Sequence, residues 1–325
     1  MTENQDQFDG LPVRQIWREA YGFVFSVPGR VIATALVPFG IYFLISLGVQ
    51  LTVFNETVMN LYGAISQFEE LSTEDPDAAF TAMVPLVGSA ISMFFWVAIL
   101  GILGGLAGAM MASAWHRTTL IGLDADRTGF GFFFGRSELS YFGRALLMFL
   151  ITFAALFAYA IVATIVYAIV VALIAVPATV VAGGVDVIAL VLMIPLVLGG
   201  VLVWLYLWSK MIMSLPAAAL GIKGFGLAQS WSATRGHVGR LMITYAGLML
   251  PPFLLGMGIG WAIELAMPTP TDLSQITDAM LTRSTLVAMV PNFMITVFST
   301  ALVASGMSYT YYRLGQPPEW VEKVF

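Results

Sequence analysis

The chain alternates long apolar runs with short polar segments. Six runs of 23 to 33 residues contain no Asp, Glu, Lys or Arg. A hydrocarbon core about 30 Å thick is crossed by about 20 helical residues, so each run is long enough to span a bilayer. Because backbone groups in lipid must bond one another, uninterrupted runs of this length are expected to be helical. The predicted spans are residues 31–54, 83–115, 145–176, 187–209, 241–263 and 286–312.

The pattern therefore predicts an all-α membrane protein with six transmembrane helices. Runs 83–115 and 145–176 are longer than a perpendicular crossing needs, which predicts that these two helices tilt or project beyond the lipid. Pro251-Pro252 is expected to interrupt the fifth span, because neither proline has a backbone N–H to donate.

A helical spacing of apolar residues precedes the first span, with polar and charged residues on the opposite side. This pattern predicts an amphipathic helix in the membrane interface, with the Trp17 indole at headgroup level. Segment 226–236, which contains Trp231, has a similar pattern, and segment 138–142 has a shorter one. The apolar positions before the first span are Val13, Ile16, Trp17, Ala20 and Val24.

Each of these segments leads into a Gly-Arg pair at the start of a span. The glycine would permit a sharp corner between the membrane surface and the span, and the arginine would bind lipid phosphate. The alternative is that Gly and Arg are simply common at such helix ends. The pairs are Gly29-Arg30, Gly143-Arg144 and Gly239-Arg240.

We interpret the pairs as marks of three parallel repeats within one membrane domain, residues 13–313. Each repeat would contain an interfacial helix, a corner, a span out and a span back. The candidate units are residues 13–117, 118–210 and 223–313, and the polar tails are residues 1–12 and 314–325.

Composition and charge then place the chain in a membrane and orient it. The chain is 59% hydrophobic and 10% charged, whereas soluble domains carry about 25% charged residues, so a water-soluble monomer is excluded. Of 14 Lys and Arg residues, 13 fall on one side of the predicted spans and Arg283 falls on the other. The positive-inside rule predicts that the basic side and both termini are cytoplasmic.

Sequence signals for catalysis are weak. The chain has no Cys and only two His, and it lacks a P-loop and an H-E-x-x-H motif. We therefore expect no enzyme activity, no cofactor and no bound metal. Basic residues alternate with acids beside the predicted spans, so nucleic acid is not an expected partner.

One charged stretch leaves two interpretations open. It could hold a cation or a phosphate, or it could be a solvated loop, and its composition favours the loop. The stretch contains Asp124, Asp126, Arg127 and Glu138.

Small residues in the second span predict close helix packing, either inside the bundle or in an oligomer. One row holds Gly101, Gly105 and Ala109, and the next holds Gly104, Gly108 and Ala112.

Three segments carry a resemblance to a known group of proteins. They are QIWREAYGFVFSVPGR, FFFGRSELSYFGRALL and SLPAAALGIKGFGLAQSWSATRGHVGRL. The chain resembles a broad group of uncharacterised bacterial inner-membrane proteins, and it is similar to the membrane domain that accompanies some bacterial glycerophosphodiester phosphodiesterases. The resemblance implies a six-span module in the bacterial inner membrane, near lipid metabolism. The phosphodiesterase activity is not implied, because segment 116–144 is too short to hold a hydrolase barrel.

The leading hypothesis is a non-enzymatic scaffold or accessory subunit that interacts with membrane lipids, and with another membrane protein or itself. Residues expected to contact lipid headgroups are Arg30, Arg144, Arg240, Trp17 and Trp231. The alternative is a channel or transporter for a neutral or amphipathic solute or lipid, because the predicted spans hold no ionisable residue at mid-depth. Its candidate lining residues are Pro251, Pro252, Asn292 and Thr296.

Overall fold

A computed structural model describes residues 11–74, 76–123, 135–178, 184–267 and 278–315. These residues form ten α-helices and one π-helical turn, and none of them lies in a strand. The helices are α1 (Val13–Ser26), α2 (Pro28–Val49), α3 (Asn55–Glu74), α4 (Pro76–Ile121), α5 (Arg136–Ala178), α6 (Gly184–Met211), α7 (Ser214–Ala219), α8 (Leu227–Ala233), α9 (Val238–Ala266) and α10 (Asp278–Leu314). The π-helical turn, Gln50–Phe54, joins α2 to α3 without a break.

Six helical stretches are long and apolar enough to cross a membrane. This confirms the six-span, all-α prediction. The stretches are Pro28–Ile65, Val84–Ile121, Arg136–Val170, Met193–Ala219, Val238–Ala266 and Thr285–Leu314.

Several helices are longer than the apolar runs that predicted them. Helix α4 has 46 residues and α5 has 43. A helix of 46 residues is about 70 Å long, more than twice the thickness of a hydrocarbon core. The predicted tilt or projection beyond the lipid therefore follows from the length of these helices.

The spans pack as a ring of three hairpins. Helix α4 packs on α3 and α2, α5 on α6, and α9 on α10. The second helix of each hairpin also packs on the next hairpin: α4 on α5, α6 on α9, and α10 on α2 and α4. Three consecutive repeats would produce this order, although the internal repeat itself stays a prediction.

The core lies at one end of the bundle, which we call the basic end because it carries Arg30, Arg117, Arg144, Arg240 and Arg313. Buried apolar side chains concentrate there, around the short helix α7, whose six residues are all buried. Toward the opposite end, large apolar side chains on the spans stay uncovered. Among them are Phe94, Phe157 and Trp261.

Two of the glycines in the predicted rows of α4 lie against aromatic rings, whereas Gly101 and Gly108 have no atom within 4 Å of an added Cβ. A Cβ atom at Gly104 would lie 3.1 Å from the Tyr42 ring on α2, and one at Gly105 would lie 3.3 Å from the Phe142 ring on α5. Close packing inside the bundle is therefore present, and it brings rings against glycines.

The prediction that the glycines of the Gly-Arg pairs form corners is wrong. Helix α5 runs without a break through Gly143, so segment 138–142 is its first turns and not a separate interfacial helix. Gly29 and Gly239 also lie inside helices, and neither has a positive φ. The bend between α1 and α2 falls at Val27, just before Pro28. The corner before α9 includes Gly236, whose φ is 81°.

Candidate functional site at the basic end

Helix α1 docks onto α9 through an indole. The Trp17 Nε1–H donates to the Thr244 carbonyl over 2.8 Å, and the ring lies against Gly247, where a Cβ atom would overlap it. Ile16 and Ala20 are fully buried on the same helix. The apolar face of α1, predicted to contact the membrane interface, therefore contacts protein as well.

The proline pair in α9 does not interrupt the helix, so the predicted break is wrong: α9 is continuous through both prolines. Pro251 still lacks an N–H, which deprives the Gly247 carbonyl four residues earlier of its helical donor. The Tyr21 hydroxyl of α1 donates to this carbonyl over 3.2 Å. Burial raises the pKa of Tyr21, so its hydroxyl stays protonated and available as a donor at neutral pH.

We expect Tyr21→Phe to lower the free energy of unfolding by about 1 kcal/mol, because it leaves the Gly247 carbonyl without a donor. Pro251→Ala restores a helical N–H for that carbonyl, so Tyr21→Phe should have a smaller effect in that background. A double-mutant cycle in detergent micelles measures the difference. Equal losses in both backgrounds would contradict this account of the proline.

An ion pair ties α1 to α10. The Arg313 guanidinium lies 3.2 Å from a Glu19 carboxylate oxygen, and both side chains are about a quarter exposed. The two residues are 294 positions apart in the sequence, so this ion pair connects the first helix to the last.

A buried histidine joins three helices. His116 of α4 is fully buried. Its Nδ1 lies 2.7 Å from the Ser308 hydroxyl of α10, and its Nε2 lies 3.3 Å from the Tyr141 hydroxyl of α5. The indole of the preceding residue, Trp115, donates a hydrogen bond to the Ser305 hydroxyl of α10 over 2.7 Å. Both ring nitrogens have hydrogen-bond partners, which favours a structural role.

A second buried group is the ion pair between Arg117 and Glu138. The two side chains approach to 2.6 Å, and the Glu138 side chain is 1% exposed. Arg117 also donates to Ser113 and to the Ala219 carbonyl at the end of α7. The prediction that Glu138 belongs to a solvated loop is wrong, while Asp124, Asp126 and Arg127 lie outside the described residues.

Arg144 is engaged inside the protein. Its Nη1 donates to the Ser214 carbonyl over 2.7 Å and to the Phe225 carbonyl over 2.6 Å. These carbonyls flank α7 and the turns that follow it, where Gly221 and Gly224 have positive φ. Arg144 therefore holds the buried α7 segment against α5, and its lipid contact stays a prediction.

Helix α8 packs on the end of α6. The Ser230 hydroxyl donates to the Lys210 carbonyl over 2.8 Å. The Lys210 ammonium lies 5.2 Å from the centre of the Trp231 ring, which contacts Tyr206 edge to face. Trp231 is 37% exposed, so part of its ring remains free for the membrane interface.

The other predicted headgroup residues differ in their surroundings. Arg30 is partly exposed, and its Nη2 donates to the Leu123 carbonyl over 3.0 Å. Arg240 is exposed in the first turn of α9. Their lipid contacts stay predictions.

The residues proposed to line a solute pathway do not form one cluster of free polar groups. The Thr296 hydroxyl donates to the Asn292 carbonyl of its own helix over 2.8 Å. Pro251 is exposed and Pro252 is partly exposed inside the continuous helix α9. Asn292 is exposed 21 residues before Arg313, which puts it about 30 Å along α10, near the outer boundary of a hydrocarbon core.

Sequence reasoning missed most of the contacts that build the basic end. His116 and Tyr21 have partners on helices distant in sequence, so spacing alone gives no signal for them. Glu138 was named in the charged stretch, but its ion pair with Arg117 was not predicted. Lys210 was not predicted to have a role. Its one available signal was the pairing of Trp208-Ser209-Lys210 with the Ser230-Trp231 pair of the next helical segment.

The fold and this site define a multi-pass helical membrane protein whose packed core lies at its basic end. Comparison with models of known families, with curated proteins and with solved structures finds no match.

Proposed function

We propose that the chain is a non-enzymatic scaffold of the bacterial inner membrane that binds lipid, with its basic end and both termini in the cytoplasm. Under this proposal the basic end binds headgroups, and the uncovered apolar halves of the spans contact acyl chains. The resemblance to the phosphodiesterase-associated membrane domain agrees with a role near lipid metabolism.

The proposal rests on the distribution of charged side chains at the basic end, where the acids are paired and several cations are exposed. Both acids that the structure describes there, Glu19 and Glu138, lie in ion pairs with Arg313 and Arg117. Six cations among the described residues at the same end are exposed: Arg14, Arg18, Arg136, Lys223, Arg235 and Arg240. A basic surface beside a membrane attracts anionic lipid with about 1 kcal/mol per residue.

A channel or transporter is less well supported by this geometry. Helix α7 is buried among α4, α5 and α10, so it occupies the middle of the basic end. A solute crossing the bundle at that end would have to displace α7 and the carbonyls that Arg144 holds.

The lipid proposal predicts that exposed cations set the preference for anionic lipid. We expect the triple variant Arg14→Gln, Arg18→Gln, Arg235→Gln to lose about fivefold in relative affinity per cation removed, since each is worth about 1 kcal/mol. The measurement is the number of phosphatidylglycerol and phosphatidylcholine molecules bound to the purified chain, counted by native mass spectrometry at low salt.

The matched control is Arg283→Gln, because Arg283 is exposed at the opposite end of the bundle. The control should keep the wild-type preference, and added salt should weaken that preference in the wild type. An equal preference for the two lipids in the wild type, or no change in the triple variant, would overturn the scaffold proposal.

A further inference from the structure

Lys210 is a nearly buried cation that has no acidic partner among the described residues. It lies in the last turn of α6 and is 6% exposed. Among the described residues, its ammonium has the Trp231 ring as its neighbour and neither an ion pair nor a hydrogen bond. Lysine is rarely buried to this degree unless it is paired.

The residues packed around α6 do not supply a counter-charge at this end. Helix α6 packs on α5, α8 and α9. Near the basic end, α5 carries Arg136, Glu138 and Arg144, and the carboxylate of Glu138 is bound by Arg117. The described segment of α8 has no charged residue, and Arg240 is the charged residue at the start of α9.

Two features stabilise the ammonium in part. The C-terminal end of a helix favours a nearby positive charge, and a cation over an aromatic face is attracted by the ring. The Lys210 side chain keeps only 6% of its exposure, and loss of hydration is unfavourable for an ammonium even after the protein relaxes. An anion close to Lys210 would supply the remaining stabilisation.

Two further hydrogen-bond donors lie on the same turn of α6. The Trp208 Nε1 and the Ser209 hydroxyl are both buried, and neither has a hydrogen-bond partner in the part of the chain that the structure describes. The Ser230 hydroxyl is not available to bind an anion, because it donates to the Lys210 carbonyl. This hydrogen bond holds α8 against the end of α6. The end of α6 thus presents a buried cation beside an aromatic ring that is itself partly exposed.

We propose that Lys210 and Trp231 form a binding site for a phosphate group, and that its natural source is the phosphodiester of a phospholipid in the adjacent leaflet. This proposal rests on the lipid function proposed above and assigns it a specific site. Lys210 provides the charge, the Trp231 ring covers the ammonium from one side, and the end of the span places both at headgroup depth.

The test compares three variants of the full chain in neutral detergent. Lys210→Gln removes the charge and Lys210→Arg keeps it, while Arg283→Gln removes an exposed cation at the opposite end of the bundle. We expect Lys210→Gln to weaken the tightest phosphatidylglycerol site about tenfold, because a hydrogen bond to a charged group is lost. Lys210→Arg should stay close to wild type, and Arg283→Gln should leave this tightest site in place.

Inorganic phosphate is the second probe. Displacement of the tightest lipid by millimolar inorganic phosphate, absent in Lys210→Gln, would assign the site to free phosphate as well. Tight lipid binding that phosphate does not displace would assign it to lipid.

The outcomes separate this site from the broader proposal. Unchanged lipid affinity in Lys210→Gln, with weaker binding in the triple variant of exposed arginines, overturns the Lys210 site and leaves the scaffold. Unchanged binding in all variants overturns both. A folded Lys210→Gln protein, checked by its thermal transition, is required for either conclusion. Lys210→Met, which also removes the charge, supplies the same comparison if Lys210→Gln does not fold.

Discussion

Glu138→Leu should lower the free energy of unfolding by about 3 kcal/mol, because it leaves the Arg117 guanidinium without its buried counter-ion. The lower end of the usual range applies, since Arg117 is 17% exposed and keeps some contact with water. The same change removes the acceptor for the Gly135 N–H, which lies at the start of α5. Denaturant titration in mixed micelles measures the loss.

The double variant Arg117→Leu, Glu138→Leu separates the charge effect from the packing effect. Replacing both partners of a buried pair with apolar side chains is often close to neutral, so the double variant should recover most of the stability. Glu56→Gln is the control, since Glu56 is an exposed acid in the first turn of α3. If Glu138→Leu is as stable as Glu56→Gln, the ion pair does not hold α4 to α5.

The spans could be predicted because lipid imposes a simple requirement on the backbone. Any apolar run of about 20 residues must satisfy its own hydrogen bonds, so hydropathy alone locates the helix. The ends were harder to predict, because helix propensity continues into the polar segments. Helix α10 begins at Asp278, eight residues before the apolar run begins at Leu286.

The roles of individual arginines could not be predicted from position. Arg144 and Arg240 look alike in the sequence, since each follows a glycine at the start of a predicted span. Arg144 donates to carbonyls that lie 70 and 81 residues away, whereas Arg240 is exposed. Such partners depend on how α5 meets α7, and a single sequence carries no record of that contact.

The apolar face of α1 could be predicted from the sequence, but what this face contacts could not. Protein interiors and lipid are both apolar, so the spacing of Ile16, Ala20 and Val24 fits contact with either one. Here all three side chains are fully buried against protein. Gly247 did not identify the partner of α1, because a glycine inside a span can lie against an aromatic ring or a lipid chain, or have no close neighbour.

Gly247→Leu should release α1 from α9. A Cβ at this position would overlap the Trp17 indole, so the larger side chain must displace the ring and with it the hydrogen bond to Thr244. Overpacking of this kind costs about 1 to 3 kcal/mol, which raises the open population of α1 about tenfold or more. The chain has no Cys, so Ala20→Cys introduces a single thiol on the buried face of α1.

The rate of thiol labelling at position 20 then measures the release. Ala20 is fully buried, so labelling should be slow in the parent and about tenfold faster with Gly247→Leu. Gly258→Leu is the matched control on the same helix, since no atom lies within 4 Å of a Cβ built there. Equal labelling in the two leucine variants would mean that Trp17 does not hold α1 in place, and that the ion pair of Glu19 with Arg313 is sufficient to do so.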